Sequence, residues 1–244
     1  MTAGKSRPKN SGLTSGRLVL VPGTLETALL VRRHPLARRA SLRLSADGEQ
    51  VIVVIPARGR LEDGVAIARQ HAEWIHDRLR AVPPRVPFAD GAVIPVYGRM
   101  RVVRHVATER VGVHERGETL AVGGAAESVA RQIETWLRGE ARRVLTALAH
   151  AKAERFGRRI SRISIRDARS RWGSCSSAGA LSFSWRLVLA PPAVLDYVVA
   201  HEVAHLAERG HAPEFWRTVA RLTAHMDSGR LWLRRHGREL FRYG

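Results

Sequence analysis

The sequence holds a single cysteine, Cys175, and only three lysines, Lys5, Lys9 and Lys152. A lone thiol excludes an internal disulfide framework. It also excludes the structural zinc sites built from two to four thiolates. Long apolar runs are missing as well. Stretches such as Val51–Ile55 fall far short of the ~20 residues that span a bilayer, so no transmembrane segment is expected. The apolar run Leu18–Pro22, after a polar and basic start, is too short for a signal-peptide core. A reducing, cytoplasmic setting is the expectation.

Arginine is what the chain has in excess. Lys and Arg number 41 against 22 Asp and Glu, a formal charge of +19. Such a charge predicts attraction to polyanions. With 244 residues, 45% of them apolar, the chain can bury a proper core in one large domain or two small ones. Wholesale disorder is thereby excluded.

Along the chain, residues 1–16 read as a disordered tail. Residues 17–60 read as β: Leu18–Val21, Leu29–Arg32, Ala40–Leu44 and Val51–Ile55 are separated by turn signals at Pro22-Gly23, His34-Pro35 and Asp47-Gly48. Gly64 to Arg80 carries helical spacing in Val65, Ala68, Ala72, Ile75 and Leu79. A second β stretch covers 92–122, with turns at Tyr97-Gly98 and Arg116-Gly117. A long helix over 126–156 follows, buried through Ile133, Leu137, Val144 and Leu148 and stopped by Gly157. Residues 160–188 read as a hairpin in which Ser161–Ile165 leads in and Leu181–Leu187 returns. Three helices are expected near 192–209, 212–224 and 228–240. The fold class is α+β, with a boundary near 123–126 between a β-rich region, 17–123, and a helix-rich region, 124–244.

The chemistry concentrates in His201-Glu202-Val203-Ala204-His205. A helix turns about 100° per residue, so the two histidines lie about 40° apart, one turn from each other. Imidazoles stacked this way can share one tetrahedral ion, and the intervening glutamate can take a proton from water there. Leu195, Val199, Val203 and Leu206 form an apolar stripe away from the histidines. Gly210 is expected to end the helix as a left-handed cap. His211 follows at once and can swing back as a third nitrogen, leaving a fourth position for water. Glu208 and Glu214 are the alternatives for the third ligand.

The surrounding residues carry a resemblance. Ser170-Arg171-Trp172-Gly173-Ser174-Cys175-Ser176 precedes Phe183, Trp185-Arg186-Leu187 and Ala190-Pro191-Pro192. Leu195-Asp196-Tyr197-Val198-Val199 leads into the histidine helix, and His211-Ala212-Pro213-Glu214-Phe215-Trp216 closes the run. The sequence resembles the YgjP-like metallopeptidase domain family, related to the SprT-like and WLM zincins. The specific match covers about 165–220, and weaker similarity extends it over most of 25–240. The resemblance implies a zincin-like catalytic part in the C-terminal region and a zinc-dependent hydrolase with one Zn2+ per chain. It implies metal ligands at His201, His205 and His211, and Glu202 as catalytic base.

A peptidase reading gives peptide or protein as substrate. Leu181–Leu187 is then the strand expected to bind it by strand addition. Arg186, Arg171, Tyr197 and His225 are the donors considered for the developing oxyanion. Ser174 has no base at motif spacing, and Cys175 beside an aromatic reads as packing. Charge is uneven: eleven basic residues stand against three acidic ones from Arg138 to Arg171, and seven against two from Arg217 to Gly244. This leaves two rival functions. One is a metal-dependent nucleoside triphosphate pyrophosphohydrolase that clamps phosphate with arginine. The other is a basic nucleic-acid-binding module with a structural metal. No membrane partner is expected.

Overall fold

A computed structural model describes residues 17–21, 25–45, 50–80 and 84–244. The tail expected over 1–16 and the turns at Pro22-Gly23 and Asp47-Gly48 lie outside the described residues. The architecture is α+β. Among the described residues no helix is long and apolar enough to cross a membrane. The chain divides into two compact units, Met1–Pro83 and Pro84–Gly244.

The first unit is a four-stranded sheet with two helices. Strands β1 (Arg17–Val21), β2 (Leu25–His34), β3 (Ser41–Leu44) and β4 (Val51–Pro56) lie in the order β1-β2-β4-β3. β2 and β4 are parallel, and the outer pairs antiparallel. Leu29, Val31, Val51, Val53 and Ile55 bury one face against Ala68 and Ile75. The single helix expected over 64–80 is two: α1 (Leu61–Gln70) and α2 (Ala72–Arg80), interrupted at His71. The first begins earlier than the apolar spacing shows, because the Asp63 carboxylate accepts the Arg60 backbone N–H at 2.9 Å and caps it.

The second unit is built round α3 (Val129–Arg155). Ile133, Leu137, Ala141, Leu145 and Ala149 recur every four residues and are all fully buried. Val144 and Leu148, expected in the core, are half-buried beside them. Gly157, at φ 63°, ends the helix as expected, and Arg158 N–H reaches back to the Ala153 carbonyl at 2.9 Å.

Strands β5 (Val93–Val96), β6 (Arg99–Arg116) and β7 (Thr119–Gly123) form one sheet of this unit. β7 runs parallel to the first half of β6 and antiparallel to the second, so β6 folds round its end. Gly123 permits this, since a side chain there would run into the carbonyls of Glu109 and Arg110. The β5–β6 turn, Tyr97-Gly98, has positive φ at both residues, as a two-residue hairpin requires. Its backbone N–H groups donate to the Val188 and Leu189 carbonyls at 2.7 and 3.2 Å. This docking places the break between Pro83 and Pro84 rather than near 123–126: β5–β7 share a core with α3 and the C-terminal helices.

The segment 160–188 also differs from the expected hairpin. Strands β8 (Arg162–Arg166), β9 (Gly173–Cys175) and β10 (Ala180–Ser184) form a sheet of order β8-β10-β9. β8 is parallel to β10, and the hairpin partner is β9. The return strand stops at Ser184, because Trp185–Leu189 coils into a wholly buried 3-10 helix. Helices α4 (Pro192–Ala204), α5 (Pro213–Leu222) and α6 (Met226–His236) follow, and a 3-10 turn, Gly237–Arg242, replaces the last turn expected of the third.

Candidate metal centre

Pro192 at its first turn starts α4 in the manner expected. The helix is not amphipathic, however. Nine of its thirteen residues are buried, so neighbours pack round nearly its whole circumference. It also ends at Ala204 rather than 209, with His205 as the capping residue. Gly210 is not left-handed: it is absent from the positive-φ glycines among the described residues. The chain instead reverses through turns anchored on Ala204, whose carbonyl accepts Ala207 and Glu208 N–H at 3.1 and 3.0 Å.

The reversal brings His211 back over α4. His211 Nε2 lies 3.3 Å from His201 Nε2. The three ring centroids are 4.9 to 5.1 Å apart, and one nitrogen from each of His201, His205 and His211 lies within 4.8 Å of the others. His205 Nδ1 pairs with the Glu208 carbonyl at 2.8 Å, so that nitrogen carries the proton and Nε2 keeps its lone pair. Glu208 therefore contributes its backbone. Glu214 pairs with Arg217 at 2.9 Å on the exposed start of α5. Burial, then the neighbouring His205 and His211, lower the His201 imidazole to about 4 and keep it neutral. The donor set fits zinc: three imidazoles, one already oriented by a carbonyl.

Glu202 is buried beside the histidines, and its burial pushes the carboxyl up to about 7, partly opposed by the Arg171 guanidinium. A cavity of about 640 Å³ opens over the group, lined by the three histidines, Glu202, Arg171 and the edge of β9. Of the four donors considered, Arg171 alone lines it. Arg186 is buried elsewhere, donating to Asp167 at 3.0 Å and to the Leu240 and Tyr243 carbonyls at 3.2 and 2.6 Å. Cys175 also borders the cavity, but burial and the nearby Glu202 raise its thiol pKa, which leaves it a poor nucleophile.

Two features escaped the sequence reading. Phe215, fully buried, packs its ring against all three imidazoles at centroid distances of 4.9, 4.5 and 4.6 Å. The signal was present as apolar spacing, Phe215, Val219 and Leu222, on the helix after His211. Gly173 faces Glu202 so closely that a Cβ there would stand 2.5 Å from its Cγ. Nothing in the sequence pattern marks that proximity.

A family model described as YgjP-like, metallopeptidase domain, matches residues 38–236. The chain belongs to this family. Comparison with curated proteins and with solved structures finds no match. As a YgjP-like domain the protein is of metallopeptidase type, which makes it a hydrolase with a metal cofactor.

Proposed function

We propose that this YgjP-like domain is a zinc-dependent peptidase in which His201, His205 and His211 hold the ion and Glu202 moves the proton. The convergence of three ring nitrogens beside a buried carboxylate, under an open cavity, carries this reading. Zinc in such a setting supplies a Lewis acid, which acidifies water and draws charge from a carbonyl oxygen. The Glu202 carboxylate accepts a proton from the attacking water and returns it to the departing amine nitrogen. Phe215 holds the imidazoles in place, and the Glu208 carbonyl fixes the His205 tautomer. Arg171 is the charged donor on the cavity wall for the developing oxyanion.

Strand β9 takes the place of Leu181–Leu187 as the peptide-binding edge. β10 is the central strand, with both edges used, whereas β9 is at the rim of its sheet and borders the cavity. An extended peptide added to β9 runs past the histidines. The test is hydrolysis of a peptide library by the zinc-loaded protein, with nucleoside triphosphates offered in parallel. The expected result is peptide cleavage that Glu202→Gln abolishes while about one zinc per chain remains. Pyrophosphate release with no peptide cleavage, or a Glu202→Gln protein as active as wild type, contradicts the proposal.

A further inference from the structure

The sheet β8-β10-β9 has one face against the core and one open face. Ile163, Ile165, Leu181 and Phe183 pack inward. Side chains alternate along a strand, so the residues between them point the other way. These are Arg162, Ser164 and Arg166 on β8, and Ser182 and Ser184 on β10. The register sets Ser164 opposite Ser182, and Ser182 opposite Ser174 of β9, giving a row of three hydroxyls across the sheet. A cavity of about 520 Å³ lies over this face, with Arg171 and Trp172 in its wall.

An open sheet face is ordinarily polar without being a site. Two observations set this one apart. Three guanidiniums, Arg162, Arg166 and Arg171, line the cavity and no carboxylate does. Among the described residues Arg162 and Arg166 make no hydrogen bond or ion pair, and Arg171 acts only on the buried Glu202 carboxyl. The Ser184 hydroxyl is fully buried at the cavity wall and has no hydrogen-bond partner. Three exposed like charges on one face, with no carboxylate among the lining residues, give the cavity a positive field. A bound oxyanion offsets it.

The occupant follows from what else the cavity offers. Single-stranded nucleic acid needs aromatic faces on which bases stack. Here Phe183 is buried, and Trp172 is already stacked on Phe241 at 5.1 Å. The cavity also shares Arg171, Gly173, Ser174, Cys175 and Ser176 with the one over the histidines, so β9 is a common wall. We infer that this groove is a subsite for an oxyanion carried by the polypeptide substrate, either an Asp or Glu carboxylate or the phosphate of a modified Ser or Thr. The metal centre then acts on acidic segments. The inference rests on the peptidase reading and names its substrate class.

The test reads binding separately from turnover. Three labelled peptides of equal length, one Glu-rich, one bearing phosphoserine and one with Gln and Ser in their place, are titrated into full-length zinc-loaded Glu202→Gln protein at physiological salt. At least one anionic peptide is expected to bind about tenfold more tightly than the neutral one. In a protein that also carries Arg162→Gln and Arg166→Gln, the gap should close to about twofold. The tighter of the two anionic peptides identifies carboxylate or phosphate as the group received. Equal affinity for all three peptides overturns the inference, as does a gap that survives the arginine substitutions. Displacement of the anionic peptide by a single-stranded oligonucleotide of equal charge, again lost with the two arginines, assigns the groove to nucleic acid and also overturns it. A charge preference without wild-type hydrolysis removes the peptidase reading and leaves the groove. Hydrolysis without a charge preference removes the groove alone.

Discussion

The carboxylate of Glu202 fills the space that a side chain at Gly173 would occupy. A Cβ built on Gly173 stands 2.5 Å from Glu202 Cγ and 2.6 Å from its Oε1. The missing side chain on β9 thus sets how near the carboxylate comes to the rim strand. Gly173→Ala forces either Glu202 or the strand to shift by about an ångström, a displacement that can cost about 100-fold in rate. The expected outcome is a fall of that order in kcat/KM with zinc content unchanged, read by steady-state kinetics and elemental analysis. Unaltered kinetics would show that the carboxylate's position is not constrained from this side.

Phe215 is the common neighbour of all three imidazoles, so its removal should act twice. Phe215→Ala empties a fully buried site and should cost about 3–5 kcal/mol of stability even without metal. It should also weaken zinc binding, because the rings lose the surface that orients them. Urea unfolding in the presence of a chelator measures the first effect, and competition with a zinc indicator the second. Phe215→Leu should restore much of the stability and less of the zinc affinity.

Lys152 ties α3 to α4, the helix that carries His201. Its Nζ lies 2.6 Å from Asp196 Oδ1 on α4 and donates to the Leu222 carbonyl at 2.7 Å. Thr223 donates to the same Asp196 carboxylate. Lys152→Ala leaves that carboxylate without its cation in a largely buried place, and a loss of about 3–5 kcal/mol is expected. Lys152→Met with Asp196→Asn should recover a large part of it. Denaturation midpoints of the single and double variants check the coupling.

Glu140 sets an acid limit on stability. The Arg143 guanidinium first, and the Tyr97 hydroxyl after it, hold its carboxyl below the ordinary 4.5, against the burial that raises it. A carboxyl whose pKa is depressed on folding adds stability above its unfolded value, and that contribution fades as pH falls through the folded value. Glu140→Gln should therefore lower the urea midpoint at about pH 7 and approach wild type at about pH 3. A difference that stays constant over this range would show that the charge is not what matters.

The parts legible in the sequence were those governed by local rules. Helical spacing placed α3, and Gly157 its end. The proline pair placed the start of α4, and the histidine spacing placed two imidazoles one turn apart. His211 does come back over α4, but by a different device from the one expected: the chain reverses on turns at Ala204, with no left-handed residue at Gly210. What remained hidden depends on contacts distant in sequence. β8 pairs with β10 in parallel, a choice made by packing on the core that no turn residue announces. The hairpin tip at Tyr97-Gly98 joins the second unit through backbone groups that any sequence carries. Gly173 and Phe215 matter only because α4 passes beside them.

In the proposed site three imidazole nitrogens hold one zinc ion. X-ray absorption at the zinc edge of the loaded protein, set beside His211→Ala, tests it most directly. Three nitrogen donors at about 2.0–2.1 Å with one further light atom are expected in the wild type, and one nitrogen fewer in the variant. Sulfur in the coordination sphere, or identical spectra for the two proteins, would contradict it.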